Sequence, residues 1–182
     1  MCIRDRRLGL SSWSAGYGAI AQILRQPIGQ HVDAVILMDS LYAGYEEGSD
    51  SRIRSESLEP FLRYAGLASR GKRFMYQSHS QIQTPGYAST LKVSHWLVSQ
   101  LRGRMLKQRR GGGRAMQLFE QYDRRGYHVR GFEGGTKSDH CDHLQVLRFV
   151  VKNYLWKRWQ HVPMRRLATT RKRRTARGRR RR

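Results

Sequence analysis

The chain has 182 residues, of which 38% are hydrophobic, enough for the core of one domain of ordinary size. No run of about 18 apolar residues is present, so no membrane-spanning helix is expected. Two cysteines that lie far apart in sequence, Cys2 and Cys141, exclude a disulfide framework and a C-x-x-C metal site. The formal net charge is +23, and this excess indicates polyanions as one class of partner.

Both ends of the chain differ in composition from the body at 7–161. Residues 1–6 read M-C-I-R-D-R and resemble a translated sequencing-adapter fragment, so they are left out of the fold prediction. We therefore expect the true N-terminus to be missing, so the location of the protein, cytoplasmic or periplasmic, is left open. The alternative is that residues 1–6 are a genuine short leader. Residues 162–182 are predicted to be a disordered Arg-rich tail, since eleven of the 36 lysines and arginines lie within 165–182.

The first element of the body is a short strand followed by a sharp turn and a helix. An apolar run, L-G-L, leads into S-W-S-A-G, and a helix is predicted over 16–25. A serine at the tip of such a unit is typical of a nucleophile elbow, in which the Ser14 hydroxyl projects above the sheet edge. The small residues Ala15 and Gly16 suit this cramped turn, and the backbone N–H of Ala15 can face a developing oxyanion.

Strands and helices alternate along the rest of the body. A nearly continuous apolar run predicts a buried parallel strand at Val32–Met38, which ends at Asp39. The irregular stretch 41–59 has loop composition and is predicted to form a lid beside the site. The other predicted elements are a helix over 58–68, a strand over 72–77, a helix over 89–106, a basic loop over 107–114, an ambiguous segment over 117–123, a strand over 127–133, a loop over 134–141 and a helix over 144–159. This alternation implies a parallel sheet and the α/β class.

The elbow, and the order in which serine, aspartate and histidine follow one another, resemble the α/β-hydrolase superfamily in its serine esterase and lipase-like form. The resemblance covers about residues 8–159, and its departure is Ser12 in place of the commoner first glycine of G-x-S-x-G. It implies the C-terminal half of the fold over 7–161, a partial parallel sheet flanked by helices and truncated before the nucleophile-elbow strand. It also implies a serine hydrolase that acts on an ester or related small-molecule acyl substrate without a cofactor.

The resemblance assigns catalytic roles to three side chains. Ser14 is the expected nucleophile, Asp39 orients the base, and a histidine of the D-H-C-D-H motif is that base. We favour His140 over His143 as the base. His140 is predicted to lie in the loop before the final helix, whereas His143 is predicted to begin that helix and point toward its buried face. The other candidate acids are Glu46, Glu47 and Asp50. The expected wall of the site consists of Trp13, Tyr17, Tyr42 and His79.

Three other interpretations stay open at this point. The D-H-C-D-H motif is rich in metal ligands, but its one pair of histidines falls short of the roughly three to four ligands that zinc needs, so no metal site is predicted. The chain is also compatible with a hydrolase-like scaffold that has lost catalysis. The third interpretation is binding of nucleic acid or another polyanion by residues 165–182, through phosphate contacts and without sequence preference.

Overall fold

A six-stranded sheet lies at the centre of the computed structural model, which describes residues 7–108 and 116–161. Its strands are β1 (Leu8–Trp13), β2 (Val32–Met38), β4 (Phe74–His79), β6 (Leu106–Lys107), β7 (Leu118–Arg124) and β8 (Tyr127–Phe132). A separate antiparallel pair joins β3 (Ala43–Gly44) to β5 (Tyr87–Ala88). The order across the main sheet is β1-β2-β4-β8-β7-β6. The first four of these strands are parallel, and β7 and β6 extend the sheet in antiparallel fashion.

Helices cover both faces of this sheet. They are α1 (Tyr17–Arg25), α2 (Glu59–Ser69), α3 (Thr90–Gln100), α4 (Lys137–Val150), a π-helical turn (Val151–Leu155) and α5 (Trp156–His161). One apolar cluster joins α1, α2 and α3 to one face, and a second joins the C-terminal helices to the other face. A mostly parallel sheet between two helical layers confirms the α/β class that the alternation of elements predicts.

Strand β2 is apolar along its length because both of its faces are covered. Val35 and Leu37 belong to the cluster beneath α1 to α3, while Ile36 and Met38 belong to the cluster beneath α4. Successive side chains of a strand point to opposite faces, so one strand supplies both clusters. Asp39 directly follows the carboxyl end of this strand, at the edge where open α/β sheets bind ligands.

The predicted end of one helix is wrong, and the segment that the sequence left ambiguous is a strand. Helix α3 ends six residues before the expected end at 106, because Arg102 adopts a φ of +54° and begins a C-terminal cap. In this cap the Arg102 N–H donates to the Ser99 carbonyl at 2.8 Å and the Gly103 N–H donates to the Val98 carbonyl at 2.9 Å, the pattern of a Schellman motif. The segment over 117–123, ambiguous in sequence, forms most of β7.

Some sequence predictions concern segments outside the described residues. These are the adapter-like residues 1–6, most of the basic loop over 107–114 and the Arg-rich residues 162–182. Among the helices of 7–108 and 116–161, none combines the length and the apolar character needed to cross a membrane.

The buried face of the C-terminal helices differs from the face that the sequence pattern predicts. The pattern places Leu144, Val151 and Leu155 on one buried face, but Leu144 and Val151 are 46% and 41% exposed. The burial of His143 confirms its predicted orientation, and Val150 is buried with it, so the buried face lies one position earlier in each turn. The π-helical turn then inserts an extra residue into the spiral, which returns Leu155 to the core.

The neighbouring valines of this region form a matched test of the packing. Val150→Ala removes two methyl groups from a fully buried side chain, so it should lower the free energy of unfolding by about 1–2 kcal/mol. Val151→Ala removes the same groups from an exposed side chain and should change it by less than about 0.5 kcal/mol. Urea denaturation of both variants checks this, and the reverse order of effects would contradict the observed packing.

Candidate active site

Ser14 lies at the junction between β1 and α1 in a strained backbone conformation. Its φ is +54°, in the left-handed region that serine rarely adopts, and residues 14–16 form a short 3₁₀ turn. A Cβ atom at Gly16 would lie 3.1 Å from the Cβ of Ser12, so the turn requires small residues at both positions. Ser40 stabilises the turn from the next strand end, because its hydroxyl donates to the Ser14 carbonyl at 2.6 Å.

The hydroxyls of Ser12 and Ser40 explain why a serine fits the first position of this motif. Their Oγ atoms lie 2.9 Å apart. Since the Ser40 hydroxyl already donates to the Ser14 carbonyl, the Ser12 hydroxyl is the donor of this second bond. A glycine at position 12 would leave Ser40 without it. The departure from G-x-S-x-G is therefore part of the hydrogen-bond network beneath the turn.

Four hydrogen bonds hold the carboxylate of Asp39, which is fully buried after β2. The Ser80 N–H and hydroxyl donate to it at 2.9 and 2.8 Å, and the Thr90 hydroxyl donates at 2.6 Å. The fourth donor is Nδ1 of His140, at 2.6 Å from Oδ2. Asp39 also has a φ of +41°, and its own N–H donates to the Ser78 hydroxyl at 3.1 Å. The carboxylate is thus fixed by groups from three other elements.

The electrostatic surroundings keep Asp39 ionised. Burial alone would raise the pKa of its carboxyl, because a charged group loses hydration in the interior. The nearby His143 and the hydrogen bonds from the Thr90, His140 and Ser80 side chains act in the opposite sense and hold the pKa below its ordinary value. A buried aspartate that accepts this many hydrogen bonds is charged at neutral pH and can orient an imidazole.

His140 is held on two sides. Its Nδ1 donates to Asp39, and its ring stacks on the Trp13 indole with centroids 4.7 Å apart. The Trp13 indole N–H also donates to the His140 carbonyl at 3.0 Å. Trp13 directly precedes Ser14, so the same tryptophan links the serine turn to the histidine.

The prediction that His140 lies in a loop is wrong, since α4 begins at Lys137 and places the histidine in its first turn. A capping box starts the helix early. The Thr136 hydroxyl accepts from the Asp139 N–H at 3.3 Å, and the Asp139 carboxylate accepts from the Thr136 N–H at 2.8 Å. The T-x-x-D spacing in the sequence is the signal that would have located this helix start.

His143, one turn further along α4, is fully buried and faces a different partner. Its Nδ1 lies 2.7 Å from the Ser78 hydroxyl, and its ring packs edge-on against Phe132. The Ser78 hydroxyl also accepts from the Asp39 N–H, so it links His143 to the backbone at Asp39. Burial lowers the pKa of His143 to about 4, so the ring is neutral near pH 7.

Two tyrosines of the expected site wall lie beside the serine turn. The Tyr17 and Tyr42 rings are 6.0 Å apart, and the Tyr42 hydroxyl donates to the Asp39 carbonyl at 3.4 Å. Burial and the Asp39 charge raise the pKa of Tyr42, while a side-chain hydrogen bond with Ser14 acts in the opposite sense. Both phenols are therefore neutral donors at physiological pH.

Other candidate residues lie away from this group. His79 belongs to the expected wall, but its Nε2 lies 3.2 Å from the Glu120 carboxylate on the other face of the sheet from His143. Glu46 forms an exposed ion pair with Arg52 at 3.4 Å, and Glu47 and Asp50 are exposed. The D-H-C-D-H motif does not form a metal cluster within the described ranges, since its two imidazoles bind Asp39 and Ser78 and its cysteine is exposed.

The sequence prediction missed the residues that hold the three candidates in place: Ser40, Ser78, Ser80 and Thr90. A partial signal existed for two of them. Ser78 and Ser80 flank a histidine at the end of a strand, and the ends of neighbouring parallel strands meet at one sheet edge. Thr90 carries no such signal, because its approach to Asp39 depends on how α3 packs on the sheet.

Comparison of the chain with protein-family models, with curated proteins and with solved structures finds no match. The geometry of the site is therefore the basis for a functional proposal.

The pKa of His143 predicts a loss of stability in mild acid. The unfolded chain protonates this histidine near pH 6.5, whereas the folded chain resists protonation down to about pH 4, so the free energy of unfolding falls as the pH falls between these values. At about 1.4 kcal/mol per pKa unit, the loss reaches about 3 kcal/mol. His143→Asn keeps an acceptor for Ser78 but cannot be protonated, so it should remove most of this loss. Urea denaturation of both proteins at pH 7 and 4.5 measures the difference, and equal losses would contradict the neutral state of His143.

Proposed function

We propose that the chain is a serine hydrolase of the α/β-hydrolase type, which acts on an ester or related acyl substrate through Ser14, His140 and Asp39. The observation that carries the proposal is the 2.6 Å hydrogen bond between His140 Nδ1 and the buried Asp39 carboxylate. It occurs beside a serine with a φ of +54° at a strand–helix turn. Asp39 lies 25 positions after Ser14 and His140 lies 101 positions after Asp39, and all three follow or begin elements at the same edge of the sheet.

The proposed reaction begins with attack of the Ser14 hydroxyl on the acyl carbonyl. Because Nδ1 of His140 is bonded to Asp39, Nε2 is the nitrogen that takes the serine proton and later returns it to the leaving group. Asp39 fixes the ring orientation and stabilises the imidazolium that forms. Water then releases the acyl group from Ser14 by the same proton transfers in reverse order.

The turn that holds the nucleophile also supplies an oxyanion donor in this proposal. Ala15 follows Ser14 in the 3₁₀ turn that leads into α1, and it is exposed. N–H groups at the start of a helix lack partners within the helix and carry partial positive charge. We therefore assign the Ala15 N–H as a hydrogen-bond donor to the carbonyl oxygen, on which negative charge develops during the attack.

His140, rather than His143, is the proposed base because of the different partners of the two rings. A triad base needs one nitrogen on a carboxylate and the other toward the nucleophile. His140 meets the first condition and stacks on the residue before Ser14. His143 is fully buried and hydrogen-bonded to the Ser78 hydroxyl, which in turn accepts from the Asp39 N–H. Its proposed role is therefore to position Asp39.

The proposed substrate is a small acyl molecule that contacts the Tyr17 and Tyr42 rings beside the serine turn. The Tyr42 hydroxyl donates to the Asp39 carbonyl at 3.4 Å, which fixes its ring beside the serine turn. Polyanion binding by residues 165–182 stays a second prediction, which rests on their charge and lies outside the described residues.

Covalent labelling tests the nucleophile. The full chain should react with a fluorophosphonate probe at Ser14 and hydrolyse p-nitrophenyl esters, and Ser14→Ala should abolish labelling and lower turnover by roughly 10⁴-fold or more. Ser11→Ala is the matched control, since it removes the hydroxyl of an exposed serine in the same strand and should leave both properties unchanged. Labelling that persists in Ser14→Ala, or a folded chain that neither labels nor turns over, would contradict the proposal.

The two histidines predict different kinetic behaviour. His140→Ala removes the proposed base, so kcat should fall by about 10³-fold or more, and the melting temperature should also fall because the buried Asp39 carboxylate loses one of its four donors. His143→Asn keeps an acceptor for Ser78, so at pH 7 its kcat should stay within about tenfold of the parent value. Initial rates and melting temperatures of both variants check this. A larger loss of kcat in His143→Asn, at equal stability, would assign the base to His143.

A further inference from the structure

A second group of titratable side chains lies on the opposite face of the sheet from α4. Nε2 of His79, at the end of β4, lies 3.2 Å from Oε1 of Glu120 on β7, and Nε2 of His95 on α3 lies 2.6 Å from the same oxygen. The three ligand atoms all lie within 4.8 Å of one another. Ser14, His140 and Asp39 contribute nothing to this group, so it is independent of the proposed active site.

The strand between His79 and Glu120 is built so that their side chains can meet. Gly131 on β8 pairs with His79 on one side and with Glu120 on the other. A Cβ atom at Gly131 would lie 2.4 Å from Cε1 of His79 and 2.7 Å from Cγ of Glu120. The glycine therefore leaves open the space in which the two side chains approach each other over the sheet.

A buried imidazole of this cluster lacks hydrogen-bond partners, and the buried carboxylate beside it is hydrogen-bonded to His95. Neither ring nitrogen of the fully buried His79 has a hydrogen-bond partner, since the approach to Glu120 lacks the alignment of a hydrogen bond. Glu120 is also buried, and within residues 7–108 and 116–161 its ion-pair partners are the two imidazoles, with no lysine or arginine among them. An unpaired imidazole and a buried carboxylate both cost free energy unless a further group satisfies them.

We propose that His79, His95 and Glu120 bind a divalent transition-metal ion of the zinc class. Two imidazole nitrogens and one carboxylate oxygen form a donor set typical of zinc, and each is supplied by a different element. Ligands about 2.1 Å from a tetrahedral ion lie about 3.4 Å apart, close to the 3.2 Å between His79 and Glu120. The contact between His95 and Glu120 opens by less than 1 Å to admit the ion.

The location of the cluster gives the ion one solvent-facing ligand and a structural role. The His95 side chain is 46% exposed and lines a surface groove of about 370 Å³, so its imidazole meets solvent, while His79 and Glu120 are buried. The ion joins β4, β7 and α3. Two of these elements also carry donors to Asp39. Ser80 directly follows His79 at the end of β4, and Thr90 begins α3. The ion therefore stabilises the sheet edge that carries the proposed active site.

Direct metal binding tests this inference without reference to activity. The full chain, stripped with a chelator and titrated with Zn²⁺ against a chromophoric competitor, should bind one tight equivalent that raises its melting temperature. His95→Ala, at a half-exposed helix position, and Glu120→Gln should each weaken binding by at least about 100-fold, since loss of a ligand exceeds the effect of losing an outer partner. His31→Ala is the matched control, because it removes one exposed imidazole elsewhere and should bind Zn²⁺ like the parent chain.

Zinc K-edge absorption identifies the ligands in the same samples. The expected spectrum shows two imidazoles and no sulfur. Parent and His95→Ala chains that bind Zn²⁺ equally, no tight binding in the parent chain, or a sulfur ligand from Cys2 or Cys141 would overturn the inference. Since none of these measurements uses ester hydrolysis, failure here is distinguishable from failure of the hydrolase proposal.

Discussion

The buried charge of Asp39 is the constraint on which the C-terminal edge of the sheet depends. A carboxylate with no access to water must have its acceptor positions filled, and here the donors come from the chain after β4, from α3 and from α4. Each donor fixes the element that carries it relative to β2. The ionised state of one aspartate thus sets the position of the His140 imidazole and the geometry in which a proton can move to or from it.

The alternation of side chains along β4 separates two polar groups with different chemistry. Ser78 points to the α4 face and holds His143, while His79 points to the α3 face and meets Glu120. Ser80, just beyond the strand, returns to Asp39. Three successive residues therefore serve the positioning histidine, the proposed metal site and the buried carboxylate. A one-residue shift in the register of this strand would disrupt all three at once.

The sequence predicts the features that arise from local patterns. The apolar run of β2, the alternation of elements and the S-W-S-A-G turn each indicate a structure that the chain adopts, because burial and backbone strain act over a few neighbouring residues. The start of α4 was also local, in its T-x-x-D capping box, but the prediction used only apolar periodicity and placed the helix seven residues too late. Apolar periodicity also placed Leu144 on the buried face of this helix, whereas its side chain is exposed.

Long-range contacts could not be predicted in this way. Thr90 reaches Asp39 across 51 positions, and Glu120 reaches His95 across 25. The residues next to each partner in sequence do not specify these contacts. The contacts follow from the order of strands in the sheet and from Gly131, which lies between His79 and Glu120 in the sheet. The preference for His140 over His143 rested on a loop position that is wrong, whereas the two rings differ because one faces Asp39 and the other faces Ser78.

The most direct test of the proposed catalytic centre is a crystal structure of the chain after reaction with a fluorophosphonate. The account predicts a covalent adduct on the Ser14 Oγ, with Nε2 of His140 within about 3.2 Å of an adduct oxygen or of Oγ and Nδ1 still bonded to Asp39. It also predicts one adduct oxygen within hydrogen-bond reach of the Ala15 N–H. An adduct on another residue, or one on Ser14 whose nearest imidazole is His143, would contradict the proposed arrangement.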